Sequence, residues 1–343
     1  MKQYTQYAVE QTMQLLQIDS PTGYTGNVTD YLLETLTNLG FSPIRNRKGS
    51  VCCTLGGEGS PLALAAHVDT LGLMVSSIKP SGRLSFTKLG GPSLNAVETE
   101  NVSVITREGK RYTGVIAMQN ASVHVNRELE DGKRDEKHLE VLLDELVSSK
   151  EDVEKLGIAA GDIICLHPRA HVTAGGFIRS RFLDDKLSAG MLLALARAVA
   201  DKEITLSRKT TVFFSVYEEV GHGASTGLPE DTEDLLVVDM GCVGEGLSCT
   251  ETQVSICAKD SSGPYDYAMT GELIALAKEQ QLDYAVDVYP AYGSDAGTAL
   301  RAGHDIRYAL IGAGVYASHG YERSHIKGVE NTLGLIFAYV TRA

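Results

Sequence analysis

Acidic and histidine side chains recur in this sequence at the ends of predicted strands, where distant residues can be brought together. One pair follows the apolar run TTVFFSV, where YEEVGHGAS places Glu218 directly before Glu219. The full set of candidates is His67, Asp69, Asp184, Asp185, Glu218, Glu219, Asp239 and His319. Taken singly, each could be a turn former, a helix cap or a structural histidine. Together they point to one edge of one sheet, which is where α/β proteins build their sites.

The chemistry of this set is that of a two-metal site. Two histidines and three carboxylates, with one carboxylate left over, match two divalent ions that share a bridging carboxylate. Mixed imidazole and carboxylate ligands suit zinc, cobalt or manganese, and the lack of a cysteine ligand favours a catalytic site. The extra carboxylate would take a proton from an activated water. Because successive residues leaving a strand point to opposite sides, Glu218 and Glu219 can divide the tasks of base and ligand.

Alternating helices and strands must position these residues. A helix in NVTDYLLETLTNLG that ends at Gly40 precedes a buried strand at residues 62–66. The helix after Asp184 is predicted to be amphipathic, with an inward stripe of Leu187, Met191, Leu195 and Val199. The segments TTVFFSV, DLLVVDM, YAVDVYP and IRYALIG predict further strands, and VENTLGLIFAYV predicts a closing helix. This alternation predicts an α/β fold with a mostly parallel central sheet and helices on both faces.

The middle of the chain has a different pattern. Short apolar runs separated by Pro-Ser-Gly, Glu-Gly-Lys and Gly-Gly turns predict a small, barrel-like β-rich insertion. The charged stretch of residues 126–157 is predicted to be a loop followed by a surface helix. We therefore expect a catalytic α/β domain of residues 1–70 and 166–343 that is interrupted by a β-rich domain of residues 71–165.

Composition narrows the class of protein. The 343 residues are 43% hydrophobic and 22% charged, and no segment approaches the roughly 18 consecutive apolar residues of a membrane span. The N-terminus lacks a signal-peptide pattern, so we expect a cytoplasmic protein without a membrane partner. A net charge of -13 argues against nucleic-acid binding. The six cysteines are scattered without a C-x-x-C pair and are predicted to be reduced core residues.

The segments HVD, DDK, EEVG, VVDMG and SHGYE resemble, in order and spacing, those of the tetrahedral aminopeptidases. This is the glutamyl and deblocking aminopeptidase family of dinuclear metallopeptidases, some members of which carry an endoglucanase label. The resemblance extends over nearly the whole chain, including the insertion after the first histidine. It implies an aminopeptidase that uses two divalent ions, zinc or cobalt before manganese, to act on short peptides. It also implies a homododecameric shell in which the insertion serves as the dimerisation domain.

Carried over residue by residue, the resemblance implies a role for each candidate. The metal ligands would be His67 and Asp239 on one ion, Glu219 and His319 on the other, and Asp184 between the two ions. Glu218 would be the general base, and Asp69 would orient His67. The family also implies a cis peptide bond between Asp184 and Asp185.

Three positions leave alternatives open. SHGYERSH offers two histidines, and the resemblance favours His319 over His325 as the last ligand. His222 in EEVGHGA is interpreted as a loop residue or a substrate-pocket residue rather than as a metal ligand. Asp295 in YGSDAGTAL could contact the free amino group of a peptide, or Asp295 or its neighbour Ser294 could cap the following helix.

Other functions also remain open. Thr70 in HVDT is the form seen in related aminoacylase and carboxypeptidase-type metallohydrolases, so a deacylase or carboxypeptidase is the alternative. A glycoside hydrolase would use Glu218 and Glu219 as acid and nucleophile. That alternative fits less well, because paired glycosidase carboxylates lie about 5 Å or more apart across a sugar and need no metal. An intact ligand set also disfavours a noncatalytic scaffold.

Overall fold

The structure, a computed structural model, describes residues 1–342 as two compact units. One unit comprises Met1–Asp69 together with the chain from Arg169 onward, and the other comprises Thr70–Pro168. None of the helices within residues 1–342 is long and apolar enough to cross a membrane. The dimerisation role of the inserted unit stays a prediction.

The described residues form seven α-helices and nineteen strands. The helices are α1 (Lys2–Leu16), α2 (Gly26–Asn38), α3 (Lys150–Leu156), α4 (Leu183–Ala200), α5 (Tyr267–Glu279), α6 (Asp295–Arg301) and α7 (Ile326–Thr341). The first nine strands are β1 (Ile44–Arg45), β2 (Val51–Gly56), β3 (Leu62–His67), β4 (Gly72–Ile78), β5 (Leu84–Leu89), β6 (Asn101–Ile105), β7 (Arg111–Met118), β8 (Leu139–Leu143) and β9 (Ile163–Leu166). The others are β10 (His171–Val172), β11 (Phe177–Ser180), β12 (Thr210–Ser215), β13 (Asp234–Val238), β14 (Gly241–Val243), β15 (Val254–Asp260), β16 (Gly263–Pro264), β17 (Tyr284–Val288), β18 (Arg307–Tyr316) and β19 (Glu322–His325).

The larger unit is built around a mixed sheet of thirteen strands. Its centre is parallel, in the order β12-β3-β13-β18. Antiparallel strands flank this centre, with β2 beside β12 and β15 beside β18. Every residue of β3, β12 and β13 is buried, as expected for parallel strands with both faces covered. The predicted α/β fold class is confirmed, with the antiparallel strands confined to the periphery of the parallel centre.

Helix α4 departs from the amphipathic helix predicted for it. Leu192, Leu193 and Ala196 are fully buried although they lie outside the predicted stripe, and Val199, which was expected inward, is only partly buried. The physical reason is a second layer of helices. At Gly190 the backbone of α1 comes so close that a Cβ there would lie 2.6 Å from the carbonyl oxygen of Ala8. Small residues on the outer face of α4 therefore pack against α1 instead of facing solvent.

The inserted unit is a closed barrel of six strands in the order β4-β5-β8-β7-β6-β9. Strand β8 lies within the charged stretch that was predicted to be a loop before a helix, so that prediction is wrong for Leu139–Leu143. Leu139 and Val141 point into the barrel and are fully buried. A five-residue strand in charged surroundings gives too short a periodic signal to be recognised, although it is needed to close the barrel. The surface helix is confirmed as α3, which Ser149 caps by accepting the N–H of Asp152.

Candidate metal centre

Strand β3 carries His67 to the C-terminal edge of the parallel sheet. The imidazole is buried, with Nε2 3.0 Å from Oδ1 of Asp184 and Nδ1 2.9 Å from the backbone oxygen of Asp69. A carbonyl oxygen can only accept, so Nδ1 is the donor in that contact and Nε2 is the nitrogen that faces the carboxylates. With Nδ1 engaged in this way, a metal bound by His67 would be held at Nε2.

The carboxylate of Asp69 holds the glutamate turn more closely than it holds His67. Its oxygens accept the backbone N–H of Glu218 at 3.1 Å and of Glu219 at 3.4 Å, and the hydroxyl of Thr22 at 2.6 Å. The distance from Oδ1 to Nδ1 of His67 is 3.7 Å, beyond hydrogen-bond range. The structure therefore orients His67 through the Asp69 backbone and orients both glutamates through the Asp69 side chain.

The two adjacent glutamates point at different histidines. Oε2 of Glu218 lies 3.7 Å from Nε2 of His67, and Oε2 of Glu219 lies 3.6 Å from Nε2 of His319. The separation expected from strand alternation has another cause, because β12 ends at Ser215 and Glu218–Val220 is a 3₁₀ turn. Successive residues on such a turn are rotated by about one third of a revolution, which sends the two carboxylates in different directions.

Asp184 lies between the two histidines at the start of α4. Its Oδ1 faces Nε2 of His67 at 3.0 Å, and its Oδ2 faces Nε2 of His319 at 3.7 Å. The peptide bond from Asp184 to Asp185 is cis, as predicted, and the dihedral angles of both residues depart from helical values. This geometry gives Asp184 one oxygen for each side of the cluster.

A short loop between β18 and β19 presents His319. His319 has φ of 63°, a left-handed conformation that is uncommon outside glycine. Glu322 holds it there: one carboxylate oxygen accepts the N–H of His319 and the other accepts the N–H of Asp184, each at 3.1 Å. His325 instead faces the carbonyl of Gly175 and caps α7, so the geometry favours His319 as the ligand.

Asp185 is a member of the cluster to which the sequence analysis gave no role. Its Oδ2 accepts the backbone N–H of His67 at 3.2 Å, and it forms one group of close donor atoms with His67 and Asp239. Asp239 follows β13 and accepts the N–H of Met240 at 2.6 Å. The signal for Asp185 was present in the doubled aspartate of DDK, but nothing in the sequence says that both side chains turn towards one site.

The cluster carries more negative charge than its histidines can balance. Burial, reinforced by neighbouring carboxylates, raises the pKa well above the ordinary range at Asp185, Glu218, Glu219 and Glu322. Burial and the charge of Asp184 raise the pKa of Asp239 to about 7. Burial opposes charge on His67, yet its hydrogen bond to Asp184 and the surrounding carboxylates raise its pKa well above 6.5. Asp184 also resists charge through burial, but the contact with His67 lowers its pKa.

A divalent cation fits these residues in charge and in donor type. The cluster contains two sets of possible metal-binding atoms, and within each set all the atoms lie within 4.8 Å of one another. One set consists of His67, Asp184 and Glu219, and the other consists of His67, Asp185 and Asp239. Among residues 1–342, no hydrogen-bond partner meets the buried Oε1 of Glu219 or Oδ1 of Asp185, a costly state that a cation would relieve. Imidazole with carboxylate is the donor set of zinc, cobalt and manganese sites.

A pocket of about 620 Å³ opens beside the cluster. Asp184, Glu218, Glu219, Asp239 and His319 form one wall. The lining also includes residues that are not acidic, among them Ser294, Thr298 and Arg301 at α6 and its start, and Tyr292 ahead of it. The pocket can therefore take a small substrate with a positive end towards the carboxylates and another group towards α6.

Asp295 holds the loop that follows the glutamates. Its Oδ1 accepts the N–H of Ala224 at 2.7 Å and its Oδ2 accepts the hydroxyl of Ser215 at 2.5 Å. Glycine is required at position 223, because a Cβ there would overlap this carboxylate. Within the described chain Ser294 makes no side-chain hydrogen bond to the start of α6, so capping by Ser294 is wrong. Contact between Asp295 and a substrate stays a prediction.

Lys48 holds the same loop from the other side. Its Nζ donates to the carbonyl of His222 at 2.8 Å and also contacts the carbonyl of Gly223. The side chain of His222 is exposed, and its assignment to the substrate pocket stays a prediction. The backbone of the glutamate loop is thus fixed by three charged side chains, Asp69, Lys48 and Asp295. The sequence analysis missed Lys48, since a lysine in a turn has no distinguishing pattern.

Comparisons with known proteins agree with this architecture. The sequence profile of the M42 glutamyl aminopeptidase family matches residues 49–335. The aminopeptidase-named YhfE of Bacillus subtilis (strain 168) is 42% identical over 339 residues, which cover 97% of this chain and 98% of YhfE.

Solved structures share the fold. A TET aminopeptidase from the marine sediment archaeon Thaumarchaeota archaeon SCGC AB-539-E09 has a TM-score of 0.88 at 22% identity, over 98% of this chain and 97% of that one. The TET1 peptidase of Pyrococcus horikoshii, which can assemble into a tetrahedron or a large octahedral shell, has a TM-score of 0.85 at 21% identity, over 98% of this chain and 100% of its own.

Removing bound cations should make the stability of the protein fall with rising pH. Folded Asp239 keeps its proton up to a pKa of about 7, whereas an unfolded aspartate loses it near pH 3.9. The free energy of unfolding therefore falls through that window as pH rises, and the raised pKa values of Glu218, Glu219 and His67 act in the same direction. The lowered pKa of Asp184 has the opposite effect on stability, but only below about pH 4.

We expect the melting temperature of chelator-treated protein to drop by several degrees from about pH 5 to about pH 8. Metal-loaded protein should drop less, and parallel profiles would contradict the assignment of a cation site.

Replacing Lys48 by Met should slow turnover without removing metal. The change deletes the donor to His222 and Gly223 and lets the glutamate loop move, and small displacements of catalytic groups are costly. We expect kcat on an aminoacyl p-nitroanilide to fall about tenfold with little change in KM. Lys48→Arg should retain much of the activity. Lys209→Met, which removes an exposed ion pair with Asp231, is the matched control; an equal loss in both Met variants would mean that the loop contact has no special role.

Proposed function

The chain belongs to the M42 glutamyl aminopeptidase family and is an aminopeptidase, and on this basis we propose that it removes N-terminal residues from short peptides with two divalent ions. M42 peptidases are metal-dependent, and this chain has candidate metal-binding residues. The observation that carries the proposal is the position of Asp184, whose two oxygens face the two histidines. The deacylase, carboxypeptidase and glycosidase alternatives are set aside, because the family and the 42% identical relative are aminopeptidases.

The proposed ligand set divides at Asp184. His67 and Asp239 would hold one ion, and Glu219 and His319 would hold the other. The close donor atoms of His67 and Asp239, and the 3.6 Å distance from Oε2 of Glu219 to Nε2 of His319, support this division. Zinc or cobalt suits the mixed imidazole and carboxylate donors best, and manganese is the third choice. Asp185 would position His67 through its backbone N–H.

Glu218 is the proposed general base. When bound, the ions would polarise the substrate carbonyl and lower the pKa of a water molecule. Glu218 accepts the proton of that water at its carboxylate and passes it to the leaving amine. The burial that raises its pKa suits a group that must hold a proton between the two steps. Asp69 keeps the base in place by accepting the N–H groups of Glu218 and Glu219.

The α6 residues that line the pocket suit an acidic first residue. Arg301 lines the pocket there, and its guanidinium donates to the hydroxyl of Thr298 at 3.1 Å and of Ser262 at 3.2 Å. A free α-amino group would lie towards the carboxylates and a side-chain carboxylate towards Arg301. We therefore propose substrates that begin with Glu or Asp.

Assembly and location extend the proposal. The Pyrococcus horikoshii TET1 peptidase can assemble into a tetrahedron or a large octahedral shell. We propose a homo-oligomer for this chain, with a dodecamer as the specific form and the barrel unit as its dimerisation domain. All six cysteines are free thiols, which is consistent with a reducing compartment and with the proposed cytoplasmic location.

The roles of Glu218 and Asp184 can be separated by one pair of variants. Glu218→Gln removes the base but keeps an oxygen in place, so kcat should fall by about 10²–10⁴-fold while metal content stays unchanged. Asp184→Asn removes the proposed bridge, so both activity and metal content should fall. Elemental analysis after gel filtration measures the metal. Near-normal turnover by Glu218→Gln, or full metal content in Asp184→Asn, would refute the respective role.

The preference for an acidic first residue depends on Arg301. Arg301→Gln should lower kcat/KM for glutamyl p-nitroanilide about tenfold, because a charge-assisted hydrogen bond is lost. The same variant should leave alanyl p-nitroanilide nearly unaffected, and Arg301→Lys should keep part of the preference. Equal effects on both substrates would show that Arg301 supports the pocket rather than selecting the substrate.

A further inference from the structure

A row of basic and aromatic side chains crosses the exposed face of the antiparallel strands next to the His319 loop. In the register of these strands His171 lies opposite Arg179, Arg179 opposite Arg323, and Arg323 opposite Tyr316. We call His171, Arg179, Arg323 and Tyr316 the arginine row. All four residues except His171 line a pocket of about 450 Å³, together with Phe177 and Tyr321.

The arginine row places like charges directly opposite each other. Side chains at paired positions on neighbouring antiparallel strands lie close together, and two positive charges there repel. In a chain with a net charge of -13 such a pair stands out. The carboxylate of Glu251 approaches Nε of Arg323 only to 3.6 Å, which is a loose contact. An anion seated between the two guanidinium groups would turn this repulsion into attraction.

Aromatic rings hold the guanidinium groups ready for an anion. Arg323 lies 3.8 Å above the ring of Phe177, and Arg169 and Arg179 lie 4.3 Å and 5.1 Å from the centre of the Tyr321 ring. Stacking uses the flat face of a guanidinium and leaves its N–H edge available for two parallel hydrogen bonds to a carboxylate. An arginine that is already ordered loses less freedom on binding.

The arginine row adjoins the proposed catalytic site. Ser318 and His319 line the substrate pocket, while Ala317 of the same loop and Tyr316 at the end of β18 line the pocket of the arginine row. His319 is three residue steps from Tyr316, a span of at most about 11 Å, which an extended peptide covers in about three residues. A peptide with its first residue in the substrate pocket is long enough to place a later carboxylate on the row.

We propose that the arginine row binds a carboxylate of the peptide substrate about three residues beyond its N-terminus. The inference rests on the proposed peptide substrate and adds to it a second recognition site. In a tripeptide or tetrapeptide the carboxylate is the C-terminus, and in a longer peptide it is an acidic side chain. The row thus favours short or acidic peptides over neutral longer ones.

The test compares three substrates that share an N-terminal Glu. Glutamyl p-nitroanilide has no later carboxylate, Glu-Ala-Ala has a C-terminal carboxylate, and Glu-Ala-Ala-amide lacks it. We expect wild-type KM for the free acid to be about fivefold below that for the amide, since charge-assisted hydrogen bonds are lost in the amide. In the double variant Arg179→Gln/Arg323→Gln the two KM values should become equal, while p-nitroanilide kinetics stay unchanged. A fourth substrate, Glu-Ala-Asp-amide, should recover the low KM in the wild type, because its side-chain carboxylate replaces the C-terminal one.

The control is Arg197→Gln, which removes another stacked arginine of equal exposure. Arg197 lies over Tyr7, and its side chain is 44% exposed, as is that of Arg323. It should leave all three KM values unchanged. The melting temperature of the double variant should not fall, because relief of repulsion offsets lost stacking.

Three results would overturn the proposal. The first is equal KM for acid and amide in the wild type, and the second is an advantage of the acid that persists in the double variant. The third is a change of oligomer size in the double variant with unaltered KM values, which would assign the row to an acidic surface of a second copy. If wild-type protein with zinc or cobalt failed to hydrolyse glutamyl p-nitroanilide, the proposed acidic substrate would fail instead.

Discussion

Several carboxylates share a small buried volume in this protein, and their mutual repulsion governs how the larger unit is built. A buried anion is stable only if it is hydrogen-bonded or neutralised. The structure meets this requirement in two ways. The carboxylates of Asp69, Asp295 and Glu322 accept backbone N–H groups and therefore hold loops in place. Those of Asp184, Glu218 and Glu219 face imidazoles and are left to act on what enters the pocket.

The parallel sheet explains why residues far apart in sequence can meet in this volume. Strands β12, β3 and β13 lie side by side, so their carboxyl ends are spaced by about 4.8 Å each. His67, the glutamate turn and Asp239 follow these three ends. Asp184 lies at the start of buried helix α4, and Glu322 joins its backbone to that of His319. Strand ends and helix α4 carry part of the cluster, and hydrogen bonds from Asp69 and Glu322 hold the glutamate turn and the His319 loop, which fixes the distances before any substrate arrives.

The sequence can predict those site residues that lie at the ends of buried strands. Apolar runs followed by His67, Glu218 and Asp239 give strong signals, because burial of both faces makes the strands continuous in apolar residues. The fold class followed from the same signals. Strand β8 did not, since five residues in a charged stretch carry too little periodicity. Helix α4 looked amphipathic because sequence does not reveal that α1 packs on its small-residue face.

Contacts made by single side chains lie beyond sequence patterns altogether. Lys48, Asp185 and Asp295 act through hydrogen bonds to backbone groups that are distant in the chain. Such contacts depend on the final path of the backbone, and the same residue types are common in turns and caps. The arginine row is similar: Arg179 and Arg323 become neighbours only through the register of β11 and β19.

Successive side chains of strand β19 point to opposite faces of the sheet, and this alternation links the candidate metal centre to the arginine row. Glu322 points inward and holds His319 and Asp184, while the next residue, Arg323, points outward into the arginine row. A one-residue shift of this strand would exchange the two side chains and disable both functions. Pairing with β11 prevents such a shift, because four consecutive residues are in register from Glu322 to His325. The separation between the bond to be cleaved and a carboxylate on the row is therefore set by the fold. A peptide of matching length can place its scissile bond at the metal centre and a carboxylate on the arginine row at the same time. If Arg323 were on a flexible surface loop, the distance between the two sites would vary and would not select peptides by length.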